Sequence, residues 1–139
     1  IVPMPGETFS SHISSLRSLM ELGTEIIFTH NLRMLSGAEI NSTSTRRNHA
    51  FRTRYRLIHG DSGIYQSPFG PSVKAFEYEE SLRETTAMSE QDLFLLRKLH
   101  FLIEVTWNIR VYKPLLWLAR VSNISPIDIF LGNFPMGIT

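Results

Sequence analysis

Along residues 1–30 the apolar positions change period twice. Phe9, Ile13, Leu16, Leu19, Met20 and Leu22 step by three and four, which predicts an amphipathic helix started by Thr8 or Ser10 and closed by Gly23. Glu25-Ile26-Ile27-Phe28-Thr29-His30 is a short apolar run that predicts a buried parallel strand. With Ile1-Val2 read as the end of an earlier strand, cut off by Pro3-Met4-Pro5-Gly6, the order strand–helix–strand predicts a βαβ unit. Residues 31–50 show no period and read as an irregular polar connection. From Phe51 to Ile58 the pattern alternates, with Phe51, Thr53, Tyr55 and Leu57 on one face and Arg52, Arg54 and Arg56 on the other. Gly60-Asp61-Ser62-Gly63 reads as a turn, and a second alternating run follows at 75–80, where Phe76 and Tyr78 interleave with Glu77 and Glu79. These two runs predict neighbouring strands, with Arg52, Arg54 and Arg56 facing Glu77 and Glu79.

At Ser89 the helical period returns. Ser89 with Asp92 three residues on forms a capping box. Behind it Leu93, Leu96, Leu99, Ile103 and Trp107 form one stripe, which Phe94, Phe101, Leu102 and Val105 widen enough to predict burial on more than one side. Pro114 restarts a helix running to Val121, and Ser125-Pro126 opens a third short one. The expected fold class is α/β to α+β. Its segments are residues 1–40 (terminal strands and helix), 41–88 (connection with a β-hairpin) and 89–139 (helical tail).

Composition narrows the function classes. With 42% hydrophobic residues in 139, a core can form. Fourteen basic against thirteen acidic side chains leave a formal +1, which disfavours nucleic acid as a bulk partner. Cysteine is absent, so disulfides, thiolate zinc sites and cysteine-held iron–sulfur clusters cannot be built from these residues. The apolar region 93–121 is broken by Arg97, Lys98, Glu104, Arg110 and Lys113, which predicts no membrane span and a cytoplasmic, soluble chain. The truncated opening strand predicts a piece of a longer polypeptide. Its partner would be the upstream part of its own parent, and its exposed strand edge at Glu25–His30 would favour self-association when isolated.

Few residues carry chemistry on spacing alone. None of the five histidines pairs at the helical spacing of a zinc site, and His12 and His100 read as helix-face residues. His30 ends an apolar strand, where ligands of parallel sheets sit, and is the histidine to watch. Arg46, Arg47, Arg52, Arg54 and Arg56 form either a phosphate-contacting ribbon or a solvated strand face neutralised by the 77–84 glutamates; the near-zero net charge favours the second. Trp107 and Trp117 read as core residues.

Met4-Pro5-Gly6-Glu7-Thr8, an amphipathic helix, Gly23, a strand, and then Met34-Leu35-Ser36-Gly37-Ala38-Glu39-Ile40 resemble the closing segment of a radical S-adenosylmethionine (SAM) catalytic domain. Arg54-Tyr55-Arg56, a glycine-rich turn, Glu79-Glu80, Thr85 to Ser89 and a long helix are similar to the tails of cobalamin-binding-type radical SAM proteins. The resemblance implies the last βαβ portion of a partial (β/α)6 TIM-type barrel. A [4Fe–4S] cluster held by an upstream CxxxCxxC motif would cleave SAM to a 5′-deoxyadenosyl radical, with cobalamin as a further cofactor. It assigns SAM contact to Met4, Pro5 and Gly6 and to the strand end His30, Asn31 and Leu32. Pro3 stands where the family has glycine and offers no N–H. This segment would form a cavity wall and a covering tail beside a small-molecule or peptide substrate, and would not start radical chemistry alone. The competing expectation is a non-catalytic α+β interaction module, associated with RNA through Arg46–Arg56.

Overall fold

Thr8 starts the first helix, α1 (Phe9–Glu21), through a reciprocal cap: its hydroxyl accepts the Ser11 N–H at 3.1 Å and Ser11 Oγ accepts the Thr8 N–H at 3.0 Å. Gly23 closes the helix at φ +78°, a conformation natural to glycine. The computed structural model describes residues 1–132, so the last positions of the expected 89–139 segment lie outside the described residues. The fold class is mixed α+β. Among the described residues there are five α-helices and one two-stranded antiparallel hairpin.

The parallel strand expected at Glu25–His30 does not form as such. Pairing starts one residue later: the Val2 N–H donates to His30 O and the Leu32 N–H to Val2 O, both at 2.8 Å, which makes a one-residue parallel pairing of Val2 with Asn31 across the α1 crossover. The same segment then pairs on its other side with the hairpin, through the Met34 N–H to Glu80 O at 2.8 Å and the Leu82 N–H to Leu32 O at 3.2 Å. Upstream of the pairing only Ile27 is buried, while Phe28 is 70% exposed. In place of a strand, the side chain of Asn108 serves Ile27: Oδ1 accepts its N–H at 2.9 Å and Nδ2 donates to its carbonyl at 3.1 Å. Asn108→Ala leaves both groups without that partner and is expected to cost about 1–3 kcal/mol. Amide hydrogen exchange at Ile27 that is no faster in the variant would refute this capping role.

The hairpin strands are β1 (Arg52–Tyr65) and β2 (Val73–Glu84). The turn expected at Gly60–Gly63 lies inside β1. There the register jumps from Leu57↔Tyr78 to Ser62↔Phe76, and Gly60 takes φ +87°. Glu77 falls in this break, so it does not face the arginines. Arg56 lies opposite Glu79 as expected, whereas Arg52 takes Glu84 at 3.0 Å and Arg54 takes Glu90 at 3.4 Å. Tyr55 and Leu57 are exposed, because only the base of the hairpin touches the body.

The connection expected to be irregular contains a 3₁₀ turn, Glu39–Asn41, and a short helix, α2 (Thr43–Asn48). Ser42 caps α2 by accepting the Thr45 N–H at 3.2 Å. A polar helix of this kind has no hydrophobic period, and its cap is its only signature.

Ser89 and Asp92 form the expected capping box of α3 (Glu90–Leu102). The helix runs on as a π-helical turn, Ile103–Asn108, followed by α4 (Lys113–Val121) and α5 (Pro126–Gly132). Leu93, Leu96, Leu99 and Ile103 are buried together with Val2, Ile13, Leu16, Met20, Ile27, Leu116, Ile127 and Phe130, so the opening and closing segments share one core. Burial is one-sided: Phe94 and Phe101 face solvent, against the expectation of a helix covered on more than one side. Trp107 packs at the core edge and donates from Nε1 to Thr24 O at 2.9 Å, whereas Trp117 is 64% exposed and is not a core residue. No helix among the described residues is long and apolar enough to cross a membrane.

Candidate functional site

The short ladder from Val2 through residues 31–34 to β2 brings three distant segments to one place. Where the segment after Phe28 crosses β2 and meets α3, a cavity of about 540 Å³ opens, walled by Thr29, His30, Asn31, Arg33, Arg56, Glu79, Ser81, Arg83 and Arg97. Antiparallel pairing of Arg33 with Ser81 fixes the first wall against the second. Within the wall Glu79 is buried and joins two arginines. One oxygen accepts from Arg56 Nε, and the other lies 2.9 Å from Arg33 Nε. Arg83 reaches Glu90 at 3.3 Å.

Arg97, one helical turn from Leu93 on α3, has no carboxylate of its own. Its Nε is buried without a hydrogen-bond partner among the described residues. Burial, reinforced by the neighbouring charges of Arg83 and Arg56, pulls this guanidinium below its ordinary pKa. Four guanidiniums against the single carboxylate of Glu79 give the lining a net +3, in a chain whose total is +1.

Of the other arginines of the predicted ribbon, Arg46, Arg52 and Arg54 are engaged elsewhere. Arg46 grips Glu80 with two guanidinium nitrogens, at 2.9 and 2.5 Å, and Thr53 Oγ1 donates to the same carboxylate at 2.5 Å. These bonds, the arginine's first, hold the Glu80 carboxyl below the usual carboxylate range.

A second polar cluster joins the two helices whose histidines read as independent helix-face residues. Glu7 Oε1 lies 2.8 Å from His12 Nδ1, and His12 Nε2 lies 2.9 Å from His100 Nε2, so carboxylate, imidazole and imidazole form one chain. The rings meet edge to face with centroids 5.1 Å apart. His12 is buried on α1 and His100 half-buried on α3. Burial, and then the His12 ring beside it, pushes the His100 pKa down to about 3. Sequence reasoning missed this chain because its members lie 88 positions apart, and neither histidine has a local signature.

The residues assigned to SAM by resemblance divide between two surfaces. His30 and Asn31 line the arginine cavity, and Leu32 is buried in a small cluster with Met34 and Leu82. Met4, Pro5 and Gly6 form the turn before α1, with Gly6 at φ +79°. There the Met4 N–H donates to Glu7 Oε2 at 2.8 Å and its carbonyl accepts the Glu7 N–H at 3.0 Å, so the Met4 backbone is occupied within the turn. Parallel pairing of Val2 with Asn31 keeps this turn and the 32–34 segment on the same edge.

No known family model matches this chain, and no curated protein matches it.

Proposed function

We propose that this chain is the C-terminal part of a radical SAM enzyme, contributing the last βαβ portion of its partial barrel and a covering helical tail. The observation that carries the reading is the parallel pairing of Val2 with Asn31 across α1, which is the βαβ connection that such a barrel repeats. Apolar side chains left in solvent on this unit support it: Ile1, Ile26 and Phe28 are exposed, and flanking strands of a larger barrel would cover them.

The chain has no cysteine, and no group of histidines and carboxylates able to hold a metal occurs among the described residues. An iron–sulfur cluster therefore does not fit on these residues, and its ligands would come from upstream. In this reading SAM would lie along the edge between the Met4–Gly6 turn and the strand end. Because the Met4 backbone is occupied, its exposed thioether and the side chains of His30 and Asn31 are the groups that would touch it. Bound at the upstream cluster, SAM would supply the 5′-deoxyadenosyl radical. The role of this chain would be to wall the cavity and exclude water. Cytoplasmic residence and a cobalamin cofactor belong to the same reading.

The test is anaerobic expression of the full-length protein. Iron at cluster stoichiometry, and 5′-deoxyadenosine formed from SAM under reducing conditions, are the expected results, with cobalamin assayed in the same sample. A full-length sequence without a CxxxCxxC motif, or no 5′-deoxyadenosine from iron-loaded protein, would overturn the proposal.

A further inference from the structure

We infer that the cavity between residues 29–33, β2 and α3 binds the phosphate or diphosphate group of a small molecule, with Arg33, Arg56, Arg83 and Arg97 as its anchors. The inference stands on the cavity itself and does not depend on the barrel origin of the chain.

Three observations converge on it. The first is charge: the lining carries a net +3, still +2 when the Glu90 carboxylate beside Arg83 is counted, and a phosphate or diphosphate supplies two or more negative charges on closely spaced oxygens. The second is preorganisation. Glu79 is itself buried: one oxygen accepts from Arg56 Nε, and the other, which receives no hydrogen bond, lies 2.9 Å from Arg33 Nε, so two guanidiniums stand beside one carboxylate before any ligand arrives. The third is Arg97, whose buried Nε has no acceptor among the described residues and whose charge is opposed by Arg83 and Arg56 more than Glu90 offsets. A buried N–H without an acceptor costs stability, and an anion that accepts from Arg97 Nε and bridges to the neighbouring arginines removes that penalty.

Shape argues for a small molecule over a polynucleotide. The excess charge lies in a concave space of about 540 Å³, whereas the arginines along the open hairpin, Arg52 and Arg54, face Glu84 and Glu90. Thr29 and Ser81 add hydroxyl groups to the wall, suited to a hydroxylated body attached to the phosphate.

The experiment is calorimetric titration of the full-length protein with inorganic phosphate, inorganic diphosphate and a single-stranded RNA dodecamer, each at two salt concentrations. Saturable one-to-one binding of diphosphate, tighter than phosphate, is expected. Arg97→Met should weaken it at least about tenfold while leaving the ligand-free melting temperature unchanged or raised, since the variant removes a buried N–H that has no acceptor. Arg33→Met, at an exposed side chain, should weaken binding similarly without unfolding the chain. Diphosphate binding that both variants retain, or absent diphosphate binding, overturns the inference. So does RNA binding that is tighter than diphosphate and loses nothing on Arg97→Met. Diphosphate binding without 5′-deoxyadenosine formation would defeat only the radical SAM reading, and the reverse outcome would defeat only this one.

Discussion

Acidifying the chain from about pH 6.5 to about pH 4.5 should remove about 2 kcal/mol of stability through His100 alone, before most carboxylates titrate. In the unfolded chain this imidazole takes up its proton near its ordinary pKa of 6.5, whereas the folded chain resists protonation until about 3. Between those values the unfolded state binds a proton that the native state does not, so stability falls as pH falls. Above 6.5 neither state is protonated and the contribution is complete. The cause is structural: His100 is packed between helices with its Nε2 against His12 Nε2, and a line of 2.9 Å between two ring nitrogens accommodates one proton. Charging both rings would set two cations edge to edge in a poorly solvated space. Urea unfolding followed across this pH range is the measurement. His100→Gln keeps a polar group opposite His12 but does not titrate, and should lose well under half of that amount. An equal pH slope in wild type and variant would show that the histidine pair does not govern the acid limb.

Leu96→Ala is expected to destabilise by about 2–5 kcal/mol. Leu96 is fully buried at the middle of α3, in the cluster that also takes Met20 from α1 and Ile127 and Phe130 from α5. Truncation there removes transfer energy and opens a cavity among α1, α3 and α5. Phe101 lies on the same helix but is 67% exposed, and Phe101→Ala should change stability by no more than about 0.5 kcal/mol. The contrast separates the buried stripe from the apolar residues that merely widen it. Chemical denaturation of both variants measures it, and a loss at Phe101 comparable with that at Leu96 would mean that the outer face is covered in solution.

Much of the local architecture is legible in the sequence. Thr8, Gly23, Ser89 with Asp92, and Pro126 mark helix ends through backbone groups within four residues, so α1, α3 and α5 fall where their signals lie. The alternating runs gave the hairpin for the same reason. The misreadings concern partners. Gly60–Gly63 has turn composition, yet β1 continues through it, because the opposite strand accommodates the register break. Ile26 to His30 has strand composition, yet strand pairing requires a neighbour, and here Asn108 takes that place at Ile27. Phe94 and Phe101 are apolar, but apolarity does not say whether a second surface is present.

The candidate site was less legible. His30 stood out by its position at a strand end, but Arg33, Arg83 and Arg97 are scattered and unremarkable in the chain. Short-range signals such as caps and periods act through contacts a few positions apart, so the sequence by itself determined α1, α3, α4, α5 and the pairing of the two alternating runs, whereas the one-sided burial of α3 was decided by the tertiary structure. The charge-rich cavity and the Glu7–His12–His100 chain arise where segments tens of residues apart meet. Coulombic and desolvation energies depend on through-space distance and burial, and those quantities exist only once the tertiary structure has formed.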